Sequence, residues 1–213
     1  MIKQICVLFV CCFSLGCLAE DTLVEDNLES VMLRMKPETA VQIAYQETRS
    51  MDLFDNEWQG SGYLYAAVPN TMLKQQITPD IELMAAEGSQ LSYSKPASHT
   101  FHHTQLDESN PMMASLIAFK AMLTGNLAAL QQLYQLKFST TESVWRLEMT
   151  ANETAAAEQP LKIIMQGLSE QAANRMEVIF PDGDRSLYVL SKPQQGLAIE
   201  QHMQKLLQTL KRQ

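Results

Sequence analysis

His99, His102 and His103 are the only clustered imidazoles in the sequence, and imidazole is the side chain most often used to hold a metal or pass a proton. On an extended strand, His99 and His103 share a face and His102 points the other way. A structural zinc needs four convergent ligands and a catalytic zinc three. Two same-face histidines with no nearby cysteine fall short, so they read as exposed strand residues. Ser61 lies between Gly60 and Gly62, but the Gly-x-Ser-x-Gly pattern of a nucleophile elbow does not occur. A hydrolase acting on lipid esters would therefore lack its nucleophile motif. No phosphate loop, dinucleotide fingerprint or metalloprotease histidine pair is present either. Asp182-Gly183-Asp184 suits a hairpin turn better than a calcium loop, because Asp-Gly accepts positive φ. Asp107 and Glu108 read as solvated loop acids.

The remaining candidate chemistry is apolar. Residues 111–124 place Met112, Met113, Leu116, Ile117, Phe119, Ala121, Met122 and Leu123 on nearly every side of a helix. Only Ser115, Lys120 and Thr124 are strongly polar. A helix apolar almost all round must be covered on most faces. Two readings follow: an ordinary core helix, or a lid over a cavity that takes an apolar ligand.

Composition narrows the partners. The 213 residues carry a formal net charge of −8, which argues against nucleic acid and against adhesion to anionic membranes. The 13 methionines are flexible and polarizable, suited to filling core gaps or to accepting varied apolar ligands. The N-terminus reads as an export signal. Lys3 precedes an apolar run over residues 5–15, too short to span a membrane, and Cys17-Leu18-Ala19 fits cleavage after Ala19. All four cysteines, Cys6, Cys11, Cys12 and Cys17, precede that point, so residues 20–213 form a thiol-free mature chain, expected to be one domain. Ser14-Leu15-Gly16-Cys17 is an alternative lipidation box, with its Leu and small residue exchanged relative to the usual order.

The elements that must position the apolar helix are mostly strands. Residues 59–96 alternate apolar and polar blocks between the turn signals Pro69-Asn70, Pro79-Asp80, Gly88 and Pro96, the pattern of an antiparallel meander. A first strand is expected over 41–49, then strands over 60–68, 71–78, 81–86, 90–94 and 99–104. Further strands are expected over 136–140, 144–150, 161–165, 176–180 and 186–190. Helices are expected over 22–36, ended by Pro37, over a short stretch marked by Leu127, Leu130 and Leu133, and over 196–213. In the last, Ile199, Met203, Leu206, Leu207 and Leu210 make one apolar face. The count predicts a mainly β, α+β fold: a highly curved antiparallel sheet forming an incomplete barrel with a helical lid.

The order Tyr45-Gln46, Gly62-Tyr63-Leu64, Val68-Pro69-Asn70, Gly88, Trp145-Arg146-Leu147 and Asp184-Arg185-Ser186 resembles that of the LolA-like periplasmic lipoprotein carriers. The stretch from Met122 to Leu130 and the Asp182-Gly183-Asp184-Arg185-Ser186 turn resemble a branch associated with aryl-polyene (xanthomonadin-type) clusters. The resemblance implies a periplasmic, non-enzymatic carrier, with no cofactor or metal expected, that moves the acyl or polyene chain of a lipoprotein or lipid toward the outer membrane. It implies a monomer working between an inner-membrane exporter and an outer-membrane acceptor. Met112, Met113, Leu116, Phe119 and Met122 are then the expected lid contacts. Leu64, Met72, Leu83, Phe101, Phe138 and Trp145 are the expected sheet lining, and one slip in register would invert that face. General lipoprotein shuttles of this type carry Arg where this chain has Val68, and Val offers no donor to a lid. A lipid- or lipoprotein-sensing module acting through a protein partner is the alternative.

Overall fold

A computed structural model describes residues 26–51, 57–105, 114–123, 125–141, 143–152 and 160–211. The expected export segment, Cys17, Met112 and Met113 lie outside the described residues. Helix α1, Leu28–Met35, starts at a capping box in which Asn27 Oδ1 accepts the Ser30 amide at 2.9 Å and Ser30 Oγ accepts the Asn27 amide at 3.2 Å. Strands β1 (Val41–Ser50), β2 (Trp58–Ala67), β3 (Thr71–Thr78), β4 (Glu82–Glu87), β5 (Gln90–Lys95) and β6 (Thr100–Gln105) form the first half of the sheet. Helices α2 (Ala114–Leu123) and α3 (Leu127–Leu133) follow. Then come β7 (Tyr134–Thr140), β8 (Val144–Ala151), β9 (Lys162–Leu168), β10 (Arg175–Ile179), β11 (Arg185–Leu190), the two-residue β12 (Gln194–Gln195) and α4 (Leu197–Lys211).

The strands make one curved, unclosed antiparallel sheet in the order β6-β5-β4-β3-β2-β1-β11-β10-β9-β8-β7, with β12 added to the start of β1. This is the incomplete barrel that the alternation predicts. Neighbouring strands are consecutive in sequence except at the junction of β1 with β11, where the last long strand closes onto the first. Tight turns set the rest. Gly183 adopts φ 94 between β10 and β11, and Gly88 adopts φ 61 between β4 and β5. The sheet has one strand more than the eleven expected from sequence, because β12 is too short to give an alternating signal.

The two faces are covered differently. The inner face presents Val41, Ile43, Tyr45, Leu64, Met72, Trp145, Leu147, Met149, Ile163, Met165, Met176 and Val178 to α1, α2 and α3 in one buried cluster. The outer face of the first half carries Tyr65, Leu73, Leu83 and Ala85, on which α4 lays Met203, Leu207 and Leu210. Burying such side chains contributes about 1.5–3 kcal/mol each, so α4 is an integral layer rather than a loose tail. Lys211 at its end pairs with Glu87 at 2.9 Å.

This second layer corrects the face expected for two residues. Leu83 and Phe101 belong to the outer cluster beneath α4, not to the inside of the curl. The physical reason is that β3 and β4 are apolar on both faces: Met72 and Met84 point inward while Leu73 and Leu83 point outward. Alternation alone cannot choose between two such faces.

A close backbone approach sits where β2 shifts register between Ser61 and Gly62. A Cβ on Gly62 would lie 1.9 Å from the Gln75 carbonyl oxygen, a backbone atom that cannot swing aside. Gly62→Ala is expected to lower the urea unfolding midpoint, with a loss of about 2 kcal/mol or more. An unchanged midpoint would show that β2 and β3 separate without cost.

Candidate functional site

The inner face and α2 enclose a cavity of about 270 Å³. Its apolar wall is Leu64 from β2, Met72 from β3, Met84 from β4, Leu116 and Phe119 from α2, and Met176 with Phe180 from the β10 region. Its polar wall holds Lys74 on β3, Arg49 on β1 and Tyr188 on the adjoining β11, with the exposed turn of Asp182, Asp184 and Arg185 at the mouth. Leu116, Ile117, Ala118, Phe119, Ala121 and Met122 of α2 are all buried, as the apolar periodicity requires. Phe119 also borders a second hollow of about 30 Å³ lined by Met35, Val41, Ile43 and Leu190. One aromatic ring thus separates two parts of the interior.

The cavity brings together four of the residues expected to bear on a ligand: Leu64, Met72, Leu116 and Phe119. Met122 and Trp145 are fully buried in the surrounding core and do not border it. The Trp145 indole donates to the Gln171 carbonyl at 2.9 Å, which fixes the ring against Gly167. Phe138 on the edge strand β7 is partly buried against the same core. The roof is tied to the rim by Lys120, whose ammonium donates to the Gly88 carbonyl in the β4–β5 turn. Val68 sits exposed at the neighbouring β2–β3 turn, where Lys120 also borders a small hollow.

The charged floor of the cavity has no counterpart among the residues singled out from sequence. Glu47 is a carboxylate only 1 % exposed. Its Oε1 accepts from Arg49 Nε at 2.6 Å and from the Tyr188 hydroxyl at 2.7 Å, and its Oε2 accepts from Lys74 Nζ at 2.7 Å. Lys74 lies 5.0 Å from the centre of the Tyr45 ring and 5.1 Å from that of Tyr188, while Arg49 stacks over Trp58 at 4.5 Å. Burial pushes the Glu47 carboxyl up, and Lys74 with Arg49 outweigh it, holding the group below its ordinary value. Burial pushes the Lys74 ammonium down, only partly offset by Glu47. Burial and the adjacent carboxylate both drive the Tyr188 hydroxyl well above the usual tyrosine range, so it stays a donor. The signal was present in the chain: Glu47 shares parity with Val41, Ile43 and Tyr45, and Lys74 with Met72, so each is a charge on an apolar face.

The histidines are elsewhere. His102 stacks against Tyr93 with ring centres 6.4 Å apart, and His103 Nδ1 lies 2.9 Å from Ser92 Oγ. No group of three or more His, Cys, Asp or Glu able to hold a metal occurs among the described residues. The outer face carries a wider, open hollow bordered by Tyr63, Ile77 and Val189. Its lining includes small residues such as Ala44, Ser61, Gly62 and Ser191.

No family model and no curated protein matches the chain. Among solved structures it is similar to a LolA superfamily protein from Nitrosomonas europaea, with a TM-score of 0.45 and 10% identity over 79% of this chain and 91% of that one. A DUF1329 family protein from Desulfovibrio piger gives 0.44 and 10% over 79% and 91%. LprF from Mycobacterium bovis gives 0.39 and 9% over 80% and 92%.

Removing the charge of Glu47 leaves Lys74 and Arg49 sharing a neutral partner. Glu47→Gln is expected to cost about 3–5 kcal/mol. Because the folded carboxyl titrates below the unfolded one, the unfolded chain takes up the proton first. The stabilisation is complete above the unfolded value of about 4.3 and disappears as pH falls through the folded value. Urea midpoints measured from pH 7 to pH 3 should fall for the wild type across that window, and the Glu47→Gln variant should lack this contribution. Parallel curves would assign the acid sensitivity to other carboxylates.

Proposed function

We propose that the protein is an exported carrier that holds the acyl or polyene chain of a lipid or lipoprotein beneath α2 and moves it toward the outer membrane. The observation that carries this reading is the cavity under a helix buried on nearly every side, with a wall of Leu, Met and Phe. The sequence resemblance to the LolA-like carriers, and to their aryl-polyene-associated branch, supports the same reading and supplies its periplasmic setting. On it, an inner-membrane exporter is the donor and an outer-membrane component the acceptor.

The binding is non-covalent. Each methylene taken out of water contributes about 0.8 kcal/mol, so a chain of moderate length is held firmly and still released. The cavity of about 270 Å³ takes part of an alkyl chain. A longer chain extends through the mouth, turns Phe119 aside into the neighbouring hollow, or lifts α2 from the rim and breaks the Lys120 contact to Gly88. The thioethers of Met72, Met84 and Met176 suit a wall that must repack around different chains.

Native mass spectrometry of the protein from a periplasmic extract, followed by uptake of a fluorescent acyl probe, tests this. Phe119→Asp is expected to abolish uptake by placing a charge in the apolar roof. Phe119→Ala, which joins the two hollows without adding charge, is expected to keep uptake and to accept longer chains. No co-purifying lipid and no uptake by the folded wild type would overturn the carrier reading and make α2 an ordinary core helix.

A further inference from the structure

The cavity is not uniformly greasy. Arg49 and Lys74 both border it, and among the described residues the one acid in direct contact with them is Glu47, whose two oxygens are already occupied by Arg49, Tyr188 and Lys74. Two cations sharing one carboxylate leave this cluster of described residues one positive charge in excess. The other acids are placed differently. Glu82 acts on Lys74 from farther away and is ion-paired with Lys95 at 2.9 Å. Asp182 and Asp184 belong to the exposed turn at the mouth.

An ammonium brought out of water costs free energy unless an anion meets it. The Lys74 side chain is only 19 % exposed, while that of Arg49 is 43 % exposed. Glu47 takes only the Nε–H of Arg49, and a guanidinium presents five N–H donors in a planar fork. The Tyr45 hydroxyl, on the ring beside Lys74, is buried with no hydrogen-bond partner among the described residues. The burial that pushes the Lys74 ammonium down despite Glu47 agrees with an incompletely compensated charge.

We infer that the ligand ends in an anion, a carboxylate or a phosphate, that meets Lys74 and Arg49 while its alkyl chain lies against Met72, Met84 and Phe119. This deepens the carrier reading and rests on it. It selects free acids and phosphate-headed amphiphiles over alcohols and neutral esters of the same chain. The geometry also gives the ligand a direction, with its head at the β1–β3 floor and its tail under α2.

Displacement of a fluorescent acyl probe from delipidated protein by laurate, dodecyl phosphate and dodecanol tests the inference. At least one anion should bind about tenfold more tightly than dodecanol, the scale of a charge-assisted hydrogen bond. The tighter anion identifies carboxylate or phosphate as the head. Lys74→Met should reduce the preference to about threefold or less and leave dodecanol unchanged. Arg49→Gln, at the more exposed cation, serves the same purpose if a thermal melt shows that Lys74→Met does not fold. Equal binding of all three compounds by the wild type would overturn the anionic head while leaving the carrier intact. Binding of none, including the probe, would overturn the carrier reading itself.

Discussion

A carboxylate removed from water persists only where donors replace its hydration, and Glu47 satisfies that condition by gathering groups from three strands. Arg49 comes from its own strand β1, Lys74 from β3 and Tyr188 from β11. Strands β1 and β11 form the junction at which the N-terminal and C-terminal halves of the sheet meet, and β3 lies beyond β2 on the N-terminal side. The junction is the only place in the long strand order where neighbours are distant in sequence, so no hairpin holds it. Backbone pairing from Tyr45 to Ser50 is reinforced there by a polar knot, and the aromatic faces of Tyr45 and Tyr188 cover the ammonium. The same charges that fix the curl border the cavity.

The layers around this knot explain where the chain is polar and where it is not. The C-terminal half needs cover on one face only, and β8 reads as a clean alternation: Trp145, Leu147 and Met149 inward, with Arg146 and Glu148 paired on the outside at 2.9 Å. The N-terminal half is covered twice, by α2 within and α4 without. Strands β2, β3 and β4 carry buried apolar residues on both faces, while β1 and β6 keep polar positions such as Gln46 and His102.

That difference decides what could be read from sequence. Strand positions over β1, β3, β8 and β11 follow from alternation and turn residues, and the buried α2 follows from apolar residues at every angle. Leu116 and Phe119 were legible as buried because α2 is apolar at nearly every angle; the face of Leu64 and Met72 was not, because β2 and β3 are apolar on both sides. Nor was that of Leu83 and Phe101, since an amphipathic helix in the sequence does not announce which sheet face it will cover. The polar floor was hidden for another reason. Glu47, Lys74 and Tyr188 are far apart in the chain, and nothing local marks three separate inward positions as one cluster until the β1–β11 register is known. The polar contact between roof and rim was likewise missed, because Lys120 is the partner of a backbone carbonyl, which carries no sequence signature.

The sheet ends at β6 and β7 without joining them. In a closed barrel, strand number and shear together fix the diameter, and the interior volume is a constant of the topology. An open sheet has no such closure relation. Its radius of curvature can relax through many small changes in interstrand twist, none of which breaks a ladder hydrogen bond. The interior is therefore a compliant volume, whose size is set by whatever fills it as much as by the strands that surround it.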